Sequence, residues 1–240
     1  MLRSILSTAP EATIKNTTSF DRCEAGIDVI IYQASKTEFL QHALREEIED
    51  IILRHVRHAK VKGGGSSEVQ SWKNSLFEMA KVLQDEEIPD DAGVAIEYQL
   101  PNSSQRIDFM ITGEDADGQP KVVIIELKQW SSSRYSRKDG VIWARRGGHT
   151  NEIEGPHPSY QAWSYAARLE DLNAAVHEGG IRLQPCAYLH NHPSNGEIDH
   201  PHYKAYIERA PLFLKNDKEK LRRFISDHVR RGDRLKSLYT

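Results

Sequence analysis

Two short stretches of the chain carry side chains suited to hydrolysing a phosphate ester. In RIDFMI the apolar residues Ile107, Phe109 and Ile111 alternate with Arg106, Asp108 and Met110, the period-two pattern of a strand that sets Asp108 on the opposite face from its apolar neighbours. In KVVIIELKQW an apolar run, Val122 to Ile125, leads straight into Glu126, Leu127 and Lys128. Glu126 and Lys128 are two apart, so a carboxylate and an amine leave a buried strand on the same side. Burying an unpaired charge costs several kcal/mol, so acids tied to an interior strand are expected to be paired or to hold an ion. A divalent ion such as Mg2+ would satisfy Asp108 and Glu126 together while keeping positions for a phosphate oxygen and a water. Lys128 would orient that water and offset charge on the phosphorus centre.

The elements that must position these groups are legible from periodicity. Ile27–Tyr32 reads as a short strand, and SKTE at Ser35–Glu38 has the spacing of a capping box that opens a helix. Phe39, Leu40, Ala43, Ile48, Ile51, Ile52 and Val56 predict that this helix runs to about residue 58. HAKVKGGGSS then reads as a flexible linker. A second helix is expected from Ser67 to Gln84 on the stripe Val69, Trp72, Leu76, Met79, Ala80 and Leu83. Strands are expected at Val94–Leu100, Arg106–Thr112 and Lys121–Gln129, followed by a basic loop. Pro158 suits the first position of a helix reaching about Val176, Leu183–Leu189 reads as a fourth strand, and Asp217–Arg230 as a last amphipathic helix. The domain division expected is residues 1–66, an N-terminal arm with a short strand, helix and linker, and 67–240, the domain that carries the site.

Asp108 followed by Glu126-Leu127-Lys128 on the next strand resembles the PD-(D/E)XK nuclease superfamily, although Ile107 stands where the family's name would put proline. The order helix, three strands, helix, strand is similar to that family's core. The resemblance therefore implies an α/β fold, a restriction-endonuclease-like core (α-β-β-β-α-β) with a central mixed sheet flanked by helices, plus an added N-terminal helical segment. It also implies a third acid, often on the first core helix. Glu68 fits, lying within about 80° of the apolar stripe around the helix axis, with Glu97 on the preceding strand as the competitor and a simple helix-dipole role as the bland alternative. Gln161 and Tyr165, at i and i+4 in QAWSY, resemble the Q-x-x-x-Y motif of RecB-like members. More widely, SWKNSL, IEYQLP, RIDFMITG, IIELKQW and HPSYQAWSY resemble the N-terminal region of bacterial proteins that continue into a superfamily one helicase. A helicase supplied in cis or in trans, and work in DNA processing or anti-phage defence, are what that resemblance implies.

Affinity for nucleic acid would have to be local, because the 240-residue chain carries a net charge of −3. The segment SSSRYSRKDGVIWARRGGHT supplies Arg134, Arg137, Lys138, Arg145 and Arg146 against Asp139, with Arg106 nearby and with Tyr135 and Trp143 as candidates to stack on unpaired bases. No recognition helix or zinc finger is evident, so cutting without base-specific readout is expected, on DNA first and with RNA not excluded. His190, His192, His200 and His202 cluster in HNHPSNGEIDHPH without the spacing of a chelating set. Cys23 and Cys186 lack CxxC spacing, and Cys186, in an apolar run, is expected to be buried. No GxxxxGK[ST] or GxSxG motif occurs. The N-terminus lacks the apolar stretch of a secretory signal and the longest apolar run is too short to span a bilayer, so a cytoplasmic location and no membrane partner are expected. The competing reading is a nuclease fold without activity that binds nucleic acid or docks a helicase.

Overall fold

A computed structural model describes residues 30–58, 65–100, 103–145 and 151–234. Its strands are β1 (Ile30–Ser35), β2 (Gly93–Gln99), β3 (Arg106–Glu114), β4 (Pro120–Leu127), β5 (Ser133–Tyr135), β6 (Val141–Arg145), β7 (Glu152–Pro156), β8 (Arg182–Leu189) and β9 (Leu212–Leu214). Its helices are α1 (Lys36–Leu44), α2 (Ile48–His58), α3 (Ser66–Leu83), α4 (Pro158–Leu172), α5 (Ala174–Glu178), α6 (Lys204–Arg209) and α7 (Lys218–His228). The architecture is α/β. A six-stranded mixed sheet runs in the order β1-β2-β3-β4-β8-β9, and a second sheet runs β5-β6-β7. Pairing is antiparallel from β1 to β4 and parallel from β4 through β8 to β9. Among the described residues no helix is long and apolar enough to cross a membrane.

The main sheet is buried on both faces, which explains the unbroken apolar run of β4. Val94, Ile96, Phe109, Ile111, Val123, Ile125 and Cys186 pack with residues of α1, α2, α3 and α7 on one face. Ala95, Met110, Val122, Ile124 and Leu183 pack with Tyr165, Ala166 and Leu169 of α4 on the other. Trp130, Ile142 and Ala144 seal the small sheet against Ala187, Leu189, Ile198 and Tyr203. Each fully buried branched side chain contributes about 1.5–3 kcal/mol.

Three departures from the sequence expectation have local causes. The helix expected over residues 39–58 is two helices, α1 and α2, with Glu46 at φ 55° between them. Phe39 and Ile48 both belong to the same buried cluster. In one straight helix their spacing would set them about 180° apart, so the break is what lets both face the core. The helix expected to reach Val176 ends at Leu172 because Asn173 takes an extended conformation, with Oδ1 accepting from the Val176 N–H at 3.3 Å. The basic stretch is not a loop: β5 pairs with β6, and β6 with β7.

α4 is held by its first turn. His157 is the N-cap, with Nδ1 accepting from the Ser159 N–H at 3.2 Å, Nε2–H donating to the Ile198 carbonyl at 2.9 Å, and its ring stacked on Tyr203 at 4.3 Å. Burial pushes His157 down to about 4, opposed by the Ile198 hydrogen bond. The folded state thus favours neutral imidazole. The stabilisation is complete above the unfolded value of about 6.5 and is lost as pH falls toward about 4. Denaturant titrations should show an acid limb worth a few kcal/mol over that window. His157→Asn, which keeps a capping acceptor, should flatten the limb relative to wild type while costing about 1–2 kcal/mol at neutral pH.

Candidate active site

β3 and β4 bring Asp108 and Glu126 side by side. Phe109 pairs with Ile125 in an antiparallel register, so Asp108 and Glu126 face each other one step further along. The last link of that ladder is made by a side chain: Asp108 Oδ2 accepts from the Leu127 N–H at 2.8 Å. On the other edge of β3, Ile96↔Phe109 and Tyr98↔Ile107 flank Glu97 and Asp108, which stand opposite each other. Three acids therefore lie in a row across three adjacent strands.

Glu97 has φ 57°, a left-handed conformation that costs a non-glycine residue about 1–2 kcal/mol. Its effect is a change of phase in the strand. Ala95 and Tyr98, three apart, both pack in the cluster beneath α4, as do Ile107 and Met110 on β3. The buried Glu97 carboxylate is tied down by the Trp72 indole N–H at 2.7 Å and by Arg106 at 2.9 Å.

Glu126 is the most enclosed group of the set, 1% exposed. Its Oε1 accepts from the Lys128 ammonium, and its buried Oε2 meets no donor among the described residues; when protonated, the carboxyl hydrogen-bonds to Asp108. Burial, reinforced by the charge of Asp108 and opposed by Lys128, raises its carboxyl to about 8. Lys128 is anchored through its own N–H to the Tyr188 carbonyl at 3.0 Å, and its ammonium lies 5.8 Å from the Trp130 ring centre. The next residue, Gln129, donates to the Ser71 carbonyl at 2.6 Å and to Ser75 Oγ at 3.2 Å, fastening this strand end to α3.

From the other side α4 presents Gln161 and Tyr165. Gln161 Nε2 donates to the Tyr165 hydroxyl at 2.8 Å, and the Tyr165 ring is buried. Burial, with a further push from Glu126 and smaller ones from Asp108 and Glu97 against the Gln161 hydrogen bond, raises the Tyr165 hydroxyl, so it stays protonated at neutral pH. Lys128, Trp130, Gln161, Tyr165 and Arg168 line one groove along α4.

The donor set fits a divalent ion in one respect: a buried carboxylate oxygen without a partner lies beside a second carboxylate. Against that, among the described residues no group of three His, Cys, Asp or Glu side chains is arranged to hold a metal. Glu68 lies in the first turn of α3, and its side chain falls outside the described residues.

The residues expected to bind nucleic acid are placed differently from one another. Arg106 is paired with Glu97. Arg134 meets Glu152 at 3.1 Å and lies over Trp143, and Lys138 meets Glu154 at 2.5 Å. Arg137 and Arg145 are exposed, and Arg146 lies outside the described residues. The acids Glu152 and Glu154 on β7 come from beyond the basic stretch and temper its charge. Tyr135 is stacked on His200 with ring centres 4.2 Å apart. The histidine-rich segment is structural: His192 is buried against Ser133 Oγ at 2.9 Å, His190 meets Ser75 Oγ at 3.2 Å, and His200 Nδ1 accepts from the His202 N–H at 3.1 Å.

Sequence reasoning missed Trp72, Gln129 and Trp130 as partners of the site. The signal for the last two was their adjacency to Lys128; nothing local pointed to Trp72. Comparison with protein-family models, curated proteins and solved structures returns no match.

The raised carboxyl of Glu126 has a testable sign. The folded protein holds a proton that the unfolded chain releases near 4.5, so the contribution of Glu126 to ion-free stability should be fully present below about 4.5 and decline as pH rises through about 8. In chelator, Glu126→Gln should remove that decline, measured as unfolding free energy against pH.

Proposed function

We propose that the chain is a Mg2+- or Mn2+-dependent phosphodiesterase of the PD-(D/E)XK kind, acting on DNA. The observation that carries this reading is the buried Glu126 carboxylate, with one oxygen unpartnered and the other on Lys128, beside Asp108. The order α3, β2, β3, β4, α4, β8 supports it, with the small sheet inserted between β4 and α4. So does the Gln161–Tyr165 hydrogen bond at the site.

A divalent ion held by Asp108 and Glu126, with the Leu127 carbonyl as a further ligand, would polarise a phosphate oxygen and acidify a water. The side chains do the rest. Lys128, 19% exposed, keeps its ammonium at the groove, where it attracts a phosphate and orients the attacking water. Tyr165, protonated and receiving a hydrogen bond from Gln161, keeps its own O–H to donate into the site. Glu97 holds Arg106 beside the acids, and α3 holds Glu97 through Trp72.

One observation favours a second reading, nucleic-acid binding without hydrolysis: among the described residues a third side-chain ligand is lacking. Cleavage of labelled single-stranded, duplex and branched DNA in Mg2+ or Mn2+ separates the two. Asp108→Ala, Glu126→Ala and Lys128→Ala should each lower the rate at least about a hundredfold with a cooperative melt retained. Binding that is unchanged by chelator, with no cut in any substrate, would establish the second reading. A helicase module in cis or in trans is part of the proposal as a partner that would open duplex ahead of the site.

A further inference from the structure

α4 carries a second set of side chains facing away from the core. Tyr160, Trp163 and the α6 residue Tyr206 form an aromatic cluster, with ring centres 6.0 Å apart for Tyr160–Trp163, 5.1 Å for Tyr160–Tyr206 and 6.1 Å for Trp163–Tyr206. The Arg209 guanidinium lies 4.6 Å from the Trp163 ring centre. Tyr160 is seated against Gly140, where a Cβ would come within 3.2 Å of the ring, and Tyr206 donates to Asp139 at 2.8 Å. The cluster is thus held in place by the small sheet and by α6. Tyr160 and Trp163 line the same groove as Lys128, Gln161 and Arg168.

The geometry points to this groove as the seat of an unpaired nucleic-acid strand, with bases stacked on the Trp163 platform and the backbone led toward Lys128. The inference rests on the phosphodiesterase reading for where the strand goes, and on the aromatic cluster for what it is. Aromatic rings bind bases through π-faces that a duplex keeps stacked within itself, and they do so without regard to sequence. The groove adds the cations Lys128, which also meets Glu126, and Arg168, against one acid, Asp171, with Arg209 over the indole, for the phosphates. The basic small sheet is less suited, since its Tyr135 ring is covered by His200.

Fluorescence anisotropy of a labelled oligothymidylate, taken with the full chain in chelator so that nothing is cut, tests this. The comparison probes are an abasic strand of equal length and a blunt duplex of equal length. Wild type should bind oligothymidylate at least about tenfold more tightly than the abasic strand. Trp163→Ala should erase most of that difference, and Trp163→Phe should restore part of it. Equal binding of the abasic strand, tighter binding of the duplex, or an unchanged affinity in Trp163→Ala would overturn the proposal. The abasic comparison on wild type decides the matter even if Trp163→Ala fails to fold. Base-dependent binding without cleavage in Mn2+ would sink the phosphodiesterase reading and leave the groove standing. Cleavage of duplex unaffected by Trp163→Ala would do the reverse.

Discussion

A carboxylate at the end of a strand buried on both faces has few ways to exist, and the candidate site is arranged around that constraint. Glu126 follows four apolar residues of β4 and is sealed from solvent, so its charge must be met by protein, by a proton or by an ion. Lys128 meets one oxygen; burial and Asp108 together make the ionised form costly and drive the carboxyl upward. Such a group is poised between a protonated resting form and an ionised, ligand-holding one. That is a physical reason to look for catalysis there rather than for stability, since a buried pair with an unsatisfied oxygen contributes little to folding.

The surroundings of Glu126 are organised to keep this arrangement. Asp108 replaces the missing backbone link between β3 and β4. Gln129 ties the strand end to α3, and Trp72 and Arg106 hold Glu97 in a backbone conformation that a strand would otherwise avoid. Strain of this kind persists only where neighbours over-determine it. On the other side, His157 fixes the start of α4, and α4 in turn brings Gln161 and Tyr165 to the acids and Trp163 to the groove. The small sheet serves the same end, since Gly140 between β5 and β6 is the surface on which Tyr160 rests.

Much of this was legible along the chain because it depends on local period and short spacing. The VVII run before Glu126, the capping box at Ser35 and the proline at the start of α4 each act within a few residues, and each element began where those signals placed it, to within a residue; the alternation in RIDFMI placed β3 but not both its faces, since Ile107 packs with Met110 rather than with Phe109 and Ile111. Cys186 is buried, as its apolar surroundings required. The i, i+4 spacing of Gln161 and Tyr165 was enough to place them within hydrogen-bonding reach of each other.

What the chain order could not convey were pairings between distant segments. Charge counted within one window made residues 131–150 strongly basic, but Glu152 and Glu154 enter from the next strand once β7 pairs with β6. Tyr135 was free to stack on a base until His200, from a loop beyond β8, took that face. The helix over 39–58 broke because two apolar sets half a turn apart had to meet one core. Residue spacing alone thus determined the α/β class, the strand ends that carry Asp108, Glu126 and Lys128, and the helix that faces them, because these follow from periodicities of two and 3.6. Tertiary structure alone decided which charges are neutralised, which aromatic faces stay available and that Glu97 shares a row with the other two acids, because those depend on which strands become neighbours.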